Sequence, residues 1–288
     1  MGSFKQKIST ERIEQGYFER VHVILESAED QQIIGDRWFF DVGDDMVFDH
    51  ADDGLGGGAN KVSSKVTALR DDKIISYGIV DRDAIRSSHP ELWWEMDNAT
   101  FMARQPLDNV RVLCRWEIEN YLLDPEIIEE TLADMEARNV RRGSLALPAV
   151  YGHLDAAIKL SAADIVASYH GERFGADLDQ CDAEHLDDGI AKKIPDLVAE
   201  LPEIEAKVKA FGAPHSVPSS AHWDGICRLL DGKRLLRRLR LMQKSLGGND
   251  RRLELANKLR NRNRIPAEIR EYVDSFRRYA RTAALGNS

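Results

Sequence analysis

Short apolar runs alternate with stretches of helical periodicity over the first 120 residues. Residues 20–26 form a short run rich in Val and Ile, which is typical of a buried strand. Residues 28–39 and 59–70 carry apolar side chains at helical spacing. Strands are predicted at 20–26, 46–48, 73–80 and 110–116. Because strands that alternate with helices favour parallel pairing, we expect an α/β fold with a parallel sheet and right-handed crossovers.

After residue 125 the strand signal ends and helical periodicity continues. Asp124-Pro125 is typical of a helix start, since proline suits the first helical position. Glycines and prolines separate the predicted helices, which span 126–137, 148–170, 187–211, 220–246, 250–262 and 266–283. We therefore expect an α/β domain over residues 1–135 and an all-helical region, ending in basic helices, over 136–288.

Acidic residues follow three of the predicted strands. They are Glu26 and Asp30 after the first strand, Asp81 and Asp83 after the third, and Glu117 and Glu119 after the fourth. The carboxyl ends of parallel strands meet at one edge of a sheet, where open α/β folds place their sites. Because carboxylate oxygens suit Mg²⁺ or Mn²⁺, we expect a metal site for phosphate chemistry there. Its predicted ligands are Glu26, Asp30, Asp81, Asp83 and Glu119, of which Glu26, Asp81 and Asp83 are the predicted catalytic residues.

Most of these acids also have a purely structural explanation, but Glu26, which directly follows an apolar strand, does not. Asp30 suits the first turn of a helix, where it favours the helix dipole. Asp81 and Asp83 suit a polar turn after a strand. Helix capping competes with metal binding at the third group, and we favour capping for Glu117 and metal binding for Glu119. Whether Glu26 binds the metal or acts as a general base stays open.

A glycine-rich segment, residues 54–58, precedes the second predicted helix. It is not a phosphate-binding loop of the Walker A type, because no Gly-Lys-Ser/Thr follows it, and no GxGxxG is present. It is either a flexible turn or a helix N-terminus that binds phosphate with Lys61 or Lys65 nearby. Arg82, between two acids, is a third candidate for neutralising charge on a phosphate.

The charge is unevenly distributed. Residues 228–288 contain 17 Lys and Arg against 6 Asp and Glu, a net charge of +11, whereas the whole chain carries −9, so the other residues carry −20. Two interpretations stay open: the basic segment binds an anionic partner or a second copy, or its arginines pair with the acidic remainder. The candidates for nucleic-acid or partner binding are Arg234, Arg237, Arg238 and Arg240, which alternate with leucines at amphipathic spacing.

Several classes of protein are disfavoured. No apolar run approaches the length of a membrane span, and the N-terminus lacks the apolar core of a signal peptide, so we expect a cytoplasmic protein. The three cysteines lie far apart and form no CxxC pair, which disfavours a disulfide framework or a four-thiolate zinc site.

The acid pattern resembles TOPRIM domains, which carry a Glu after the first strand and an Asp-x-Asp after the third. Those positions are Glu26 and Asp81/Asp83 here, with Asp30 as the trailing acid of the first motif and Ser27 in place of the usual glycine. The glycine-rich stretch before Lys61 and the segment 116–123 resemble the DUF4435 branch, akin to the overcoming-lysogenization-defect (OLD) nucleases. The resemblance covers about residues 20–125.

Within that branch the chain is similar to the AriB-type effectors of the PARIS anti-phage defence system. The resemblance implies an Mg²⁺-dependent nuclease toxin that an ABC-type ATPase of the AriA type holds inactive. After release it would dimerise and cleave host tRNA. An OLD-like DNA nuclease is one alternative, and a non-catalytic adaptor that binds an ATPase or nucleic acid is another. The strand-end carboxylates favour an enzyme over the adaptor.

Overall fold

The computed structural model describes residues 20–52, 58–137, 151–217, 219–242 and 251–286, and the chain forms two compact units. Unit 1 comprises residues 1–80, 106–112 and 266–288. Unit 2 comprises residues 81–105 and 113–265. The boundary expected between residues 135 and 136 stays a prediction, and residues 138–150 beside it lie outside the described ranges.

Unit 1 contains a four-stranded, all-parallel sheet, as the alternation of strands and helices predicts. The strand order is β2-β1-β3-β4. The strands are β1 (Val21–Leu25), β2 (Met46–His50), β3 (Ser76–Val80) and β4 (Val110–Val112). All five residues of β1 are buried, because it lies between two neighbours and is covered on both faces. A strand that is buried on both faces has a nearly continuous apolar sequence, which is why the sequence pattern predicted β1.

Two helices cover opposite faces of this sheet: α2 (Ala59–Asp71) and α12 (Ala267–Gly286). Successive side chains of a strand point to opposite faces of the sheet. Two neighbouring residues of β3 therefore contact one helix each. A Cβ at Gly78 would lie 2.6 Å from Val62 Cγ1 of α2. The neighbouring Tyr77 stacks on Phe276 of α12, with 4.4 Å between ring centroids. The C-terminal helix therefore belongs to the sheet unit, which the sequence pattern did not predict.

The first helix of unit 1 is less regular than predicted. The α-helix α1 (Ala28–Gln31) continues as a π-helix (Gln32–Trp38), and a 3₁₀ turn follows at Phe40–Val42. The π-helical part buries Ile33, Ile34 and Trp38. The apolar spacing therefore located the buried face correctly but not the helix type.

Unit 2 is helical. Its α-helices are α3 (Pro90–Trp93), α4 (Asn98–Ala103), α5 (Pro125–Ala137), α6 (Leu154–Tyr169), α7 (Ala183–Lys193), α8 (Leu201–Ala210), α9 (Ser220–Ile226), α10 (Gly232–Arg238) and α11 (Arg251–Asn261). Its 3₁₀ turns are Arg82–Ile85, Ile118–Tyr121 and Pro195–Glu200. Helix α5 begins at Pro125, as predicted, and Asp124 Oδ1 accepts hydrogen bonds from two N–H groups of its first turn.

Two long predicted helices are divided. The predicted helix 187–211 becomes α7, a 3₁₀ turn that starts at Pro195, and α8. The predicted helix 220–246 contains α9 and α10, separated where Asp231 caps α10 by accepting a hydrogen bond from Arg234 N. Residues 148–150 and 243–246 of the predictions lie outside the described ranges. Within those ranges, no helix has both the length and the apolar character needed to cross a membrane.

Candidate functional site

In unit 1, the acids after β1 have different environments. Glu26 follows Leu25 directly and is half-buried. Asp30 belongs to a capping box: Ser27 N donates to Asp30 Oδ2 at 3.0 Å, and Asp30 N donates to Ser27 Oγ at 3.1 Å. One Asp30 oxygen therefore stabilises the start of α1, as the structural explanation expects, and its role as a metal ligand stays a prediction.

An open cleft of about 550 Å³ lies at the N-terminal end of α2 in unit 1. It is lined by residues of the β2 end and of the first turns of α2, among them His50, Asp52, Asn60, Lys61, Ser64 and Lys65. Both lysines proposed for phosphate contact therefore face one cleft. Residues 53–57, which include all of the glycine-rich segment except Gly58, lie outside the described residues.

Lys65 already has partners within unit 1. Its ammonium donates to Asp49 Oδ2 at 2.7 Å and to the His50 carbonyl oxygen at 2.8 Å. Partial burial raises the pKa of Asp49, but the hydrogen bonds from Lys65 and from the His50 backbone N–H outweigh it and hold that pKa below its ordinary value. Lys65 therefore already neutralises a carboxylate of the protein itself, Asp49, before any phosphate binds.

In unit 2, Arg82 has a structural role in place of the predicted phosphate contact. Its side chain is fully buried. The guanidinium donates to the carbonyl oxygens of Cys114, Leu92, Trp93 and Glu95 at 2.5–3.1 Å. Its Cζ also lies 4.4 Å from the centre of the Phe101 ring. The expectation for Arg82 is therefore corrected: it joins chain segments in the interior and exposes no surface to a substrate.

The two acids that flank Arg82 lie at the start of unit 2. Asp81 is in an extended conformation before the 3₁₀ turn, and Asp83 lies within that turn. Asp83 as a residue is exposed, yet crowding by protein atoms raises the pKa of its carboxyl above the ordinary value. Attraction to Arg86 and Lys233 opposes this shift. Asp83 is thus a carboxylate in a strongly charged environment, as a catalytic acid would be.

Lys233, at the start of α10, links the acids of unit 2. Its Nζ lies 2.7 Å from Glu117 Oε2 and 3.5 Å from Glu119 Oε2. Its backbone N–H donates to Glu117 Oε1 at 2.7 Å. Arg252 of α11 donates to Glu119 Oε1 at 2.8 Å. The two glutamates, 5% and 1% exposed, are therefore neutralised by cations from the basic C-terminal segment.

Burial and pairing act against each other in this network. Burial lowers the pKa of Lys233, but the carboxylates of Glu117, Glu119 and Asp81 outweigh it and raise the pKa above the ordinary value. Burial also raises the pKa of Glu117. We take Glu117 as ionised nevertheless, because both of its oxygens accept N–H hydrogen bonds, one of them from an ammonium group.

The fit of a divalent cation to these residues is partial. Glu119 Oε2 is buried and accepts no hydrogen bond, so one carboxylate oxygen has its hydrogen-bonding capacity unused. Mg²⁺ in proteins is usually held by one or two carboxylates and waters, but the Glu119 carboxylate already has Arg252 at 2.8 Å from one oxygen and Lys233 at 3.5 Å from the other. Across the part of the chain that the structure describes, no three His, Cys, Asp or Glu side chains are grouped to hold a metal ion.

The arginines of α10 face inward. Arg234 has a side chain that is 4% exposed, and its guanidinium contacts the carboxylates of Asp179, Asp164 and Asp231 at 2.6–3.3 Å. Arg237 also bonds to Asp179, at 2.7 Å, and Arg238 donates to the carbonyl oxygens of Asp179 and Cys181. Arg234 is thus unavailable to a nucleic acid, whereas Arg240 is exposed and stays a candidate contact.

A second basic run, residues 258–264 on and after α11, pairs with acids of α5 and with its capping residue. Lys258 Nζ lies 2.6 Å from Asp134 Oδ2, and Arg262 lies 3.0 Å from Glu130. Arg264 pairs with Asp124 and Glu126. Of the two interpretations left open by the charge asymmetry, these contacts support internal pairing.

Lys233 and Arg252 were not predicted as members of the site. Lys233 belongs to the basic run around α10, and its pairing with Glu117 spans 116 residues of sequence. The charge asymmetry left such internal pairing open as one of two interpretations, and it did not identify which residues would pair.

Comparison with known proteins adds no relative. No protein-family model matches the chain, and no curated protein matches it. The resemblance to TOPRIM nucleases therefore stays a prediction from the sequence, carried by Glu26, Asp30, Asp81 and Asp83, the glycine-rich stretch before Lys61 and the segment 116–123.

Proposed function

We propose that this protein is a metal-dependent phosphodiester hydrolase, with its acids at the carboxyl edge of a TOPRIM-like sheet. One observation carries the proposal: β1 and β3 are parallel neighbours, with Ile24 opposite Gly78. The chain continues from β1 into Glu26 and from β3 into Asp81. Neighbouring parallel strands end at the same edge, which is where α/β enzymes carry their catalytic groups.

In this proposal Glu26, Asp81 and Asp83 hold Mg²⁺ or Mn²⁺. The ion, when bound, lowers the pKa of a water ligand and polarises the phosphodiester. Lys61 faces the cleft beside α2, where a cation would attract the phosphate backbone of a substrate.

The substrate and the partner are proposed from the family resemblance. We propose a structured RNA, with tRNA first, as substrate, and a separate ABC-type ATPase as the partner that restrains cleavage. The exposed Arg240 is the contact with nucleic acid or partner that we would test first.

The test is cleavage of total tRNA and of duplex DNA by the purified chain with Mg²⁺ or with EDTA. Glu26→Ala and Asp81→Asn should abolish cleavage. Glu29→Ala is the matched control, because it removes an exposed acid three residues from Glu26. Cleavage that persists in Glu26→Ala would contradict the site. Cleavage of DNA alone would replace tRNA by DNA as substrate, and inactivity with the ATPase present would favour the adaptor.

A further inference from the structure

Unit 2 contains a cleft to which the proposed function gives no role. Its volume is about 310 Å³, and Phe211, Pro214 and Met96 form apolar parts of its wall. Met96 is 47% exposed, so much of its apolar side chain is in contact with water. A cleft of this volume with a partly apolar lining is typical of a site for a small organic molecule or for one unit of a polymer.

Close packing holds the walls of this cleft in place. A Cβ at Gly225 would lie 2.2 Å from the Phe211 carbonyl oxygen and 3.0 Å from Gly212 Cα, so α9 lies directly on the end of α8. Arg228 donates a hydrogen bond from Nη1 to the Met96 carbonyl oxygen, which joins the segment around Met96 to the turn after α9. The walls therefore need little rearrangement to accept a ligand.

Two charged side chains also line the cleft: Asp224, which can only accept hydrogen bonds, and Arg228, which can only donate them. They are four residues apart, and Arg228 N donates to the Gly225 carbonyl oxygen, so the helical turn continues between them. This spacing places both side chains on the same side of the turn. Arg115 contacts Asp224 through Oδ1, at 3.3 Å. Neither this contact nor the bond to Met96 uses Asp224 Oδ2 or Arg228 Nη2.

Guanine matches this pair of side chains better than the other bases do. Its N1–H and N2–H donors lie side by side on one edge, and its O6 and N7 acceptors lie on the next. A carboxylate accepts from the first edge, and a guanidinium donates to the second. Adenine and cytosine have an acceptor beside the amino group, and uracil has acceptors on both sides of its N–H. Each of these bases would therefore place a lone pair against the carboxylate.

We propose that this cleft is a subsite for an unpaired guanine of the nucleic-acid substrate. Asp224 accepts from N1–H and N2–H, and Arg228 donates to O6 and N7. The base then covers the exposed side chain of Met96. The inference rests on the proposed function, since it names a base of the same substrate. Proteins commonly read unpaired bases in this way, with the base turned out of its strand into a pocket.

The experiment measures binding of guanosine, inosine and adenosine 5′-monophosphate (GMP, IMP and AMP) to the full chain by ligand-observed NMR titration. GMP should bind most tightly. IMP lacks the N2 amine, and AMP presents an acceptor to the carboxylate, so each should bind about tenfold or more weakly than GMP. Because all three carry the same sugar and phosphate, a phosphate contact elsewhere on the protein cannot produce this preference.

Two substitutions assign the preference to the cleft. Asp224→Asn replaces an acceptor by a donor and should weaken GMP binding about tenfold, with AMP binding nearly unchanged. Ala221→Phe introduces a ring at an exposed position of the lining and should block GMP without disturbing the interior. Asp188→Asn is the matched control, because it removes an exposed carboxylate of α7, outside the cleft. The melting temperature of each variant verifies that it folds.

A second arm tests whether the base belongs to a strand. A short RNA of uridines with one guanosine should displace GMP, and the same RNA with inosine at that position should displace it less. Displacement by neither RNA would assign the cleft to a free guanosine nucleotide and would overturn the substrate subsite.

The outcomes separate this inference from the proposed function. Equal binding of the three nucleotides, or a preference for GMP that survives in Asp224→Asn, would overturn the inference and leave the metal-dependent hydrolase standing. Guanine-selective binding without cleavage of any nucleic acid would overturn the hydrolase and leave a guanine site. A preference lost in Asp224→Asn and Ala221→Phe, and kept in Asp188→Asn, would support the subsite.

Discussion

Unit 1 and unit 2 each contain a lysine–carboxylate pair of the same length, 2.7 Å between Nζ and oxygen. The Lys65 and Lys233 side chains are also equally exposed, at 36%. The carboxylates differ: Asp49 is 35% exposed, whereas Glu117 is 7% exposed. A carboxylate that keeps water can lose its lysine at little cost, but a buried one cannot. The distance between two charges therefore says less about their importance than the burial of the less exposed partner.

The same contrast separates the two interiors. The sheet of unit 1 is stabilised chiefly by apolar packing, with Val23 and Ile24 fully buried in β1. The interior of unit 2 includes charged groups, among them Arg82, Asp179 and Arg234. Substitutions in unit 1 should act through shape, and substitutions in unit 2 through uncompensated charge.

The largest effect is expected for Lys233→Met. It leaves Glu117 buried without its ammonium, which should lower the free energy of unfolding by about 3–5 kcal/mol. Urea denaturation at pH 7 measures this change. The double variant Glu117→Leu/Lys233→Met removes both charges and should recover most of the loss. A loss below about 1 kcal/mol in the single variant would show that this pair behaves as an exposed one does.

In unit 1 the corresponding test is Gly78→Ala. Its new Cβ would lie 2.6 Å from Val62 Cγ1 and 3.0 Å from Val110 Cγ2, so β3 and α2 must separate. Overpacking of this kind should lower the free energy of unfolding by about 1–3 kcal/mol. Gly152→Ala is the control, because no atom lies within 4 Å of its added Cβ. Equal stability of the two variants would contradict the close approach of α2 to the sheet.

The free energy of unfolding should depend on pH through the buried Lys233–Glu117 pair, and the direction of this dependence is a test of the pair. The folded-state pKa of Lys233 is raised, so its contribution is fully present below the ordinary lysine value of 10.5 and is lost as pH rises beyond it. Above that pH, wild type should lose stability relative to Glu117→Leu/Lys233→Met, by less than the full slope of about 1.4 kcal/mol per pH unit, because water partly screens a side chain that is 36% exposed. Urea titrations between pH 9 and about 11.5 follow this difference. Parallel curves for the two proteins would contradict a raised pKa for Lys233.

The sheet was predictable from sequence because its determinants are local. The apolar run of β1 and the helical spacing of α2 each lie within one short segment. The packing of α12 on the sheet was not predictable, since Tyr272 donates to the Val112 carbonyl oxygen 160 residues away. The spacing of an amphipathic helix predicts that one face is buried, but it does not identify the surface against which that face packs.

The residues of the candidate site also differ in how far the sequence predicts them. Strand ends located Glu26, Asp81 and Asp83, because those positions follow from local patterns. The environments of Arg82 and Arg234 were misjudged, because an arginine beside apolar residues has the same sequence pattern whether it is exposed or buried. Partners such as Asp179 lie 55 residues from Arg234, so only the folded chain identifies them.

The smallest effect is expected for Lys65→Met, which tests the more exposed of the two pairs, Lys65–Asp49. Asp49 keeps water when Lys65 is removed, so the free energy of unfolding at pH 7 should fall by only about 0–1 kcal/mol. The lowered pKa of Asp49 makes this contribution present above its ordinary value of 3.8, and it should vanish as pH falls below that value. Urea denaturation at pH 7 and at pH 3 measures both points. A loss above about 2 kcal/mol at pH 7 would mean that Asp49 depends on its lysine as Glu117 does, and that burial of the carboxylate is not what separates the two pairs.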